Sequence, residues 1–271
     1  MVIRSQRPTE ECRVCGGTAV LAFRAMLLSK HQVSYFSCPI CGFHQTEKPY
    51  WLNVAYERPI NLSDTGLVSR NILFSQKVSV ILYFLFGQES QYLDYGGGYG
   101  LFTRLMRDIG FDYYWYDSLA ENMFAQGFSK KESKEEFQAV TAIEVFEHFS
   151  DPGREIRKVL EISKNVVFTT ELIDSAHPPP RDWWYYGFDH GQHVAFYSLQ
   201  TMRYLARVHD VHFYTDRQRL HMFSAKPISQ TRFGFLAAGS RRGIFEYVKR
   251  RMKSKTDNDS LRLLALGAQN K

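Results

Sequence analysis

The sequence predicts an α/β protein built on a doubly wound, mostly parallel sheet. It adds a small cysteine-bearing head at the N-terminus and a basic helical tail at the C-terminus. Three observations lead there. A strand, a glycine-rich loop, an amphipathic helix and a second strand ending in an acid follow one another between Tyr92 and Asp117. Further strand and helix patterns alternate after them, the signature of parallel crossover units. All four cysteines fall within the first 41 residues, as two C-x-x-C pairs.

Composition narrows the class. Of 271 residues, 44% are hydrophobic, 15% aromatic and 23% charged, which excludes a disordered chain and allows one large core with small additions. The most apolar run, Val78 to Phe86, is about nine residues long, whereas a spanning helix needs ~20. The first residues lack an apolar signal core, so the expected location is the cytoplasm. The net charge of +6 is unevenly spread. Residues 226–271 hold 11 Lys/Arg against 3 Asp/Glu, residues 66–225 hold 16 against 20, and residues 1–65 hold 7 against 5. The acidic middle speaks against a general nucleic-acid surface on the main domain. The boundaries expected are a head over 1–60, a main domain over 61–225 and an extension over 226–271.

The head comes first. Cys12 and Cys15 stand in CRVCG, Cys38 and Cys41 in CPICG. Two intervening residues let one tight turn aim both sulfurs at one ion, and the following glycine lets the backbone leave with positive φ. Two such knuckles supply four thiolates for a tetrahedral, structural zinc. Two disulfides are the alternative. His31 and His44 are expected at the surface and not as ligands.

Residues 67–86 carry apolar groups at helical spacing and read as one or two helices that pack on the sheet or close the site. A strand near Tyr92–Tyr95 then runs into Gly96, Gly97, Gly98 and Gly100. The following helix places Leu101, Phe102, Leu105, Met106 and Ile109 on one stripe and ends at Gly110. Asp112–Tyr116 is the next strand, and Asp117 follows it. Glycines allow a ligand close to the backbone, and an acid there can take ribose hydroxyls.

The dinucleotide fingerprint would need a third glycine at 101, where Leu101 stands. The pattern Asp94-x-Gly96-x-Gly98-x-Gly100 instead resembles the first motif of class I S-adenosylmethionine-dependent (SAM-dependent) methyltransferases, with their Rossmann-like sheet. Ala142-Ile-Glu-Val-Phe-Glu-His-Phe-Ser-Asp-Pro152 is similar to the fourth-strand motif of that family. Arg154–Ile162 resembles the next helix, and Asn165–Thr170 the fifth strand. The resemblance implies a seven-stranded sheet with an antiparallel last strand, with Val211–Thr215 and His221–Ala225 as its sixth and seventh. SAM carries a sulfonium and no phosphate, and Gly96–Gly100 has no Lys or Arg for a phosphate. Asp94 would orient the loop and the amino end of the ligand. Asp117, with Ser118 beside it, would take the ribose. Glu144 would face the same crevice. Phe124 or Phe128 would cover the adenine, unless they are core.

Residues 174–193 hold three prolines, two tryptophans, two tyrosines and three histidines. A loop this long and irregular at the carboxyl edge of a sheet tends to be functional. Ser198 then caps a helix with Met202, Leu205 and Ala206 on one face. Trp184, Tyr185, Tyr186, Gly191, Gln192, His193 and Tyr197 resemble a branch of the family that modifies sugars or surface polysaccharides, including members with an N-terminal zinc-binding segment. Methyl transfer to a hydroxyl requires removal of a proton, and histidine suits that. His193 is the first candidate base and His190 the second, with a backbone-anchoring hydrogen bond as the alternative for His193. Trp184, Tyr185, Tyr186, Gln192 and His148 are candidates to meet the acceptor. Glu147 and His148 also suit a helix-start network.

In the tail, Arg241-Arg242 and Lys249-Arg250-Arg251, Lys253 and Lys255 alternate with Ile244, Phe245, Val248 and Met252. Such a helix can lie on an anionic membrane face or pack on its own domain. The reading is a SAM-dependent methyltransferase of a small molecule or glycan, on a sugar oxygen or carbon. An RNA methyltransferase with a zinc element and a non-catalytic scaffold in glycan assembly are the alternatives. Glu144-Val-Phe-Glu stands where an N/D-P-P-Y/F motif would mark base-amine methylation.

Overall fold

In a computed structural model, residues 7–57, 60–61, 63–239 and 243–269 are described. The head is an antiparallel meander of β1 (Thr9–Glu11), β2 (Thr18–Leu27), β3 (His31–Ser37) and β4 (His44–Thr46). The cysteine knuckles are its β1–β2 and β3–β4 turns. Gly16 and Gly42 both sit at φ +71°, as the C-x-x-C-G pattern predicted. Ala19, Phe23 and Leu27 of β2 point inward. His44 corrects an expectation. It is buried at 1% exposure, bonded through Nδ1 to Ser37 Oγ (2.7 Å) and packed among aromatic rings.

The short α1 (Leu52–Ala55) and the long α2 (Leu67–Leu85) lead to the main sheet. Its first half is β5 (Gln91–Tyr95), α3 (Leu101–Ile109), β6 (Asp112–Tyr116), β7 (Phe137–Ala142), α4 (Pro152–Ile162) and β8 (Val166–Thr169). Strands β6, β5, β7 and β8 lie side by side, all parallel. β8 reads Val-Val-Phe-Thr and is buried throughout, as parallel strands covered on both faces are. α4 starts where Asp151 accepts from Arg154 N and Pro152 takes the first turn.

Beyond β8 the chain needs only Thr170 and Glu171 to leave the main sheet and enter β9 (Leu172–Ile173) of a second one. β10 (Ala195–Ser198) pairs with β9 in parallel and with β4 antiparallel. The head sheet therefore takes its last two strands from distant sequence, and runs β1-β2-β3-β4-β10-β9. α5 (Leu199–Val208) follows, with Ser198 accepting from Thr201 N and with Met202, Leu205 and Ala206 buried. β11 (His212–Thr215) and β12 (Leu220–Ser224) finish the main sheet, and β12 runs antiparallel to both β8 and β11.

The main sheet has six strands among the described residues, in the order β6-β5-β7-β8-β12-β11, and not the expected seven. The absent strand belongs beside β6. There the chain reads Ser129-Lys-Lys-Glu-Ser-Lys-Glu-Glu136, too charged for a pleated edge against a core. It makes a single bridge, Trp115 to Ser129, and then a short 3₁₀ turn over Lys130–Glu132.

The tail folds as α6 (Gln230–Ala237), α7 (Ile244–Arg251) and α8 (Thr256–Gln269). Phe245 and Val248 of α7 are buried in a cluster with Val78 and Leu82 of α2. These two apolar residues are thus committed to the core, while Tyr247, Lys249, Arg250 and Arg251 stay exposed. Arg241 and Arg242 lie outside the described residues.

Candidate active site

A cavity of about 1200 Å³ opens at the carboxyl ends of β5, β6 and β7, where the two sheets diverge. Gly96–Gly98 and Asp117–Ala120 form one wall. A second stretch of the lining is Glu147, His148, Trp184, Tyr185, His190 and His193. Leu67, Arg70 and Asn71 of α2 close a third side.

The glycine wall is fixed from behind by two acids. Asp94 is 1% exposed and accepts hydrogen bonds from Thr103 Oγ1 (3.0 Å) and Thr141 Oγ1 (3.2 Å). Burial pushes its carboxyl up to about 7. A Cβ on Gly97 would meet Asp94 Oδ2 and Trp115 Cδ1 at 2.7 Å each, so no side chain fits there. Asp117 Oδ2 accepts from Gly98 N (2.9 Å), and its Oδ1 accepts from Leu119 N (2.7 Å) and Ala120 N (2.9 Å). A carboxylate has about four acceptor positions, so one remains for a ligand hydroxyl. Ser118 is exposed at the rim. Gly100 lies outside the wall and starts α3 at φ +86°. Phe124, 52% exposed, lines the cavity, whereas Phe128 is core, with the Arg107 guanidinium 3.7 Å from its ring centroid.

Glu144 stands at the end of β7 with φ +56°, a costly conformation for a residue with a side chain. Its geometry is held on several sides. The backbone N–H donates to Thr169 Oγ1 (2.7 Å), and Arg219 Nη2 reaches Oε2 (2.8 Å). Arg219 Nε in turn meets Glu171 Oε1 (2.8 Å).

That second stretch is a cluster of titratable groups. Glu147 is fully buried, and neither carboxyl oxygen has a hydrogen-bond partner. Burial, reinforced by Glu144, raises its carboxyl to about 8. Its own N–H and the Tyr185 hydroxyl oppose that rise slightly; the Tyr185 oxygen accepts from Glu171 N and pairs with Thr170 Oγ1. His148 and His193 show some surface to the cavity while the protein around them strips away water. Burial lowers His148 to about 4 and His193 well below the usual imidazole range. Their tautomers follow from their partners. His193 Nδ1 is 2.6 Å from the Tyr185 carbonyl, and His148 Nδ1 is 3.2 Å from the Gln192 carbonyl. A carbonyl only accepts, so His193 Nδ1 carries the proton and its Nε2 presents a lone pair. His148 Nδ1 also has the Tyr56 hydroxyl at 2.9 Å; when its proton is shared by that oxygen and the carbonyl, its Nε2 is likewise free. His190 differs: its Nδ1 accepts from Gln192 N (3.1 Å), which spends that lone pair.

Among the aromatic candidates, Trp184 is 66% exposed at the cavity lip and Tyr185 is buried in its wall. Tyr186 stands apart from the cavity. It is fully buried between Phe23, Tyr35 and Phe188, and donates to the Pro179 carbonyl. Gln192 lines the cavity and ties Ala55 O to the loop through Nε2 (2.8 Å).

A family model described as "Methyltransferase domain" matches residues 70–210, just over half of the chain. The chain belongs to that methyltransferase family. No curated protein matches it. Among solved structures it is similar to the plantazolicin methyltransferase BpumL in complex with SAH, at 14% identity and TM-score 0.43, over 70% of this chain and 81% of that one. It is also similar to the Burkholderia thailandensis 1,6-didemethyltoxoflavin-N1-methyltransferase, at 11% identity and TM-score 0.45, over 74% and 97%. A putative methyltransferase in complex with the Haloferax volcanii Trm112 activator gives 13% identity and TM-score 0.43, over 67% and 98%.

The methyltransferase carries its four cysteines as free thiols with all sulfurs within 4.8 Å of one another. Cys12–Cys41 and Cys15–Cys38 are 3.6 and 3.5 Å apart. A disulfide would need ~2.05 Å, whereas four thiolates around one zinc stand roughly 3.8 Å apart. The arrangement fits an ion.

Several wall residues carried no signal in the sequence. Tyr56 reaches His148 Nδ1 (2.9 Å) from a segment that reads only as a linker. Arg70 lies in an apolar helix pattern, and Arg219 in a hairpin between two strands. Only the three-dimensional arrangement brings them to the cavity.

Proposed function

We propose that this methyltransferase moves a methyl group from SAM to a hydroxyl of a small-molecule or glycan acceptor, with a sugar as the favoured class. The carrying observation is the cavity lining: glycines and Asp117 in one stretch, lone-pair-bearing Glu147, His148 and His193 in another. SAM, when bound, supplies an electrophilic methyl on a sulfonium. The residues do the rest. Gly96–Gly98 leave room for the ligand against the backbone, Asp117 accepts from its ribose, and Phe124 covers the base. Asp94 holds the loop from behind through the two threonines. Trp184 offers a flat face at the lip to the apolar side of a sugar ring, with Tyr185 and Gln192 shaping the wall beneath it. His193 Nε2 faces the acceptor and takes its proton, while the Tyr185 carbonyl fixes the ring. His148 and Glu144 support that wall. The four cysteines hold a structural zinc that folds the head.

The test is a tritiated-methyl screen against nucleotide sugars, lipid-linked glycans and RNA. Label should appear in a sugar acceptor, and His193→Ala should cut turnover by about 10²-fold or more with SAM affinity unchanged. Label in RNA alone, or none with any acceptor, would defeat the reading.

A further inference from the structure

The second stretch of the cavity lining has a feature that proton removal alone does not use. A Glu147 carboxyl oxygen and one nitrogen each of His148 and His193 converge within 4.8 Å of one another. At His193 the free nitrogen is Nε2, because Nδ1 donates to the Tyr185 carbonyl; at His148 Nε2 is free in the tautomer whose Nδ1 proton is shared by the Gln192 carbonyl and the Tyr56 hydroxyl oxygen. An imidazole whose far N–H is held by a carbonyl is the usual arrangement of a metal-binding histidine. Glu147 is fully buried and neither oxygen has a well-formed hydrogen bond; only its own N–H and the Tyr185 hydroxyl lie close enough to temper the rise of its carboxyl. Arg219 is held by Glu144 and Glu171, which offset most of its charge toward the site although it still depresses His193 slightly. The three residues line the cavity, so further coordination positions face its open space.

We infer that Glu147, His148 and His193 form a site for a divalent first-row transition cation that holds the acceptor hydroxyl. Two imidazoles and one carboxylate favour such an ion over calcium or magnesium, which prefer an all-oxygen shell. Ligands at ~2.0–2.2 Å require the three side chains to draw together by rotation about the cavity. A hydroxyl bound at an open position becomes more acidic, and its proton passes to cavity water. The inference rests on the proposed methyl transfer to a hydroxyl, and gives His193 the part of ligand in place of base.

The experiment is a titration of the zinc-loaded full chain with Mn2+, followed by loss of the free-ion electron paramagnetic resonance signal. One Mn2+ should bind per chain. Glu147→Gln and His193→Ala should each weaken uptake at least tenfold, with zinc content and SAM affinity unchanged. The unmodified chain gives a second readout. Co2+ added to the zinc-loaded protein should show weak visible bands without a thiolate charge-transfer band. No uptake, uptake that survives both substitutions, or a thiolate band would each overturn the site. If SAM binds and a sugar is methylated while Mn2+ is not taken up, the cation fails and the transferase reading stands. If SAM itself does not bind, that reading fails whatever the metal does.

Discussion

Asp94 shows how one residue is spent on holding a loop. Its carboxyl is buried behind Gly97, held by the hydroxyls of Thr103 and Thr141 and the Thr103 backbone, and titrates near 7. In the unfolded chain the same group titrates at about 3.9. The folded state therefore keeps a proton that the unfolded state has already lost. Its contribution to stability is fully present below pH ~4 and is lost as pH rises through 7, by an amount on the order of 4 kcal/mol. Asp94→Asn should flatten this dependence. Urea unfolding at pH 5 and pH 8 should show a smaller loss between the two values in the variant than in the parent. An equal loss would remove Asp94 as its source. At this scale the sequence is informative about types and weak on placement. Phe124 and Phe128 are indistinguishable as text, and only packing sends one to the cavity and the other under Arg107. Tyr186 sits next to Tyr185, and in a 3₁₀ turn adjacent side chains point apart.

Among the elements, the head matters for more than its own folding. Arg13 lies inside the first knuckle. Its guanidinium donates to Ser150 O (2.8 Å), Thr46 O (3.0 Å) and Val194 O (2.8 Å). Val194 N in turn donates to Glu147 O (2.9 Å). The cysteine turns are thereby coupled to the residues that flank Glu147 and His193. Arg13→Ala leaves three carbonyls without that donor, at a cost of about 1–3 kcal/mol. Turnover should fall about tenfold or more while SAM affinity changes less than twofold. Equal losses in both would mean that the head serves general stability only. Removing metal from the cysteines with a chelator should reproduce the Arg13→Ala pattern. The knuckles, the glycine loop, α3 and α5 were legible because their signals are local: turn glycines, caps and periodic apolar residues. α4 and the last two strands were legible only through the family resemblance. The sharing of the head sheet with β9 and β10 was not. That pairing joins residues more than a hundred positions apart through short, unremarkable strands. The missing edge strand was hidden for another reason. The resemblance supplied it, although the local text Ser129–Glu136 has no apolar residue.

At the scale of the whole molecule, the uneven charge has a structural meaning. The basic tail is fastened to the core by buried ion pairs. Arg107 of α3 donates both Nε and Nη2 to Asp259 of α8 at 2.7 Å, and Arg104 adds a contact at 3.0 Å. Removing one partner of a buried pair strands the other charge. Here, however, Arg107 keeps Asp112 (2.9 Å) when Asp259 is removed, so Asp259→Ala should destabilise the protein by about 1–3 kcal/mol, visible as a clear fall in melting temperature. A shift within a degree would mean that the tail is dispensable. The whole fold thus serves one cavity: the main sheet presents the glycine loop together with Glu147 and His148, and the β9–β10 connection of the head sheet adds Trp184, Tyr185, His190 and His193. The most direct test of that arrangement is isothermal titration of SAM into the parent chain and Asp117→Ala. One SAM should bind per chain, and the variant should bind at least tenfold more weakly. No binding to the parent, or equal affinity in both, would contradict it.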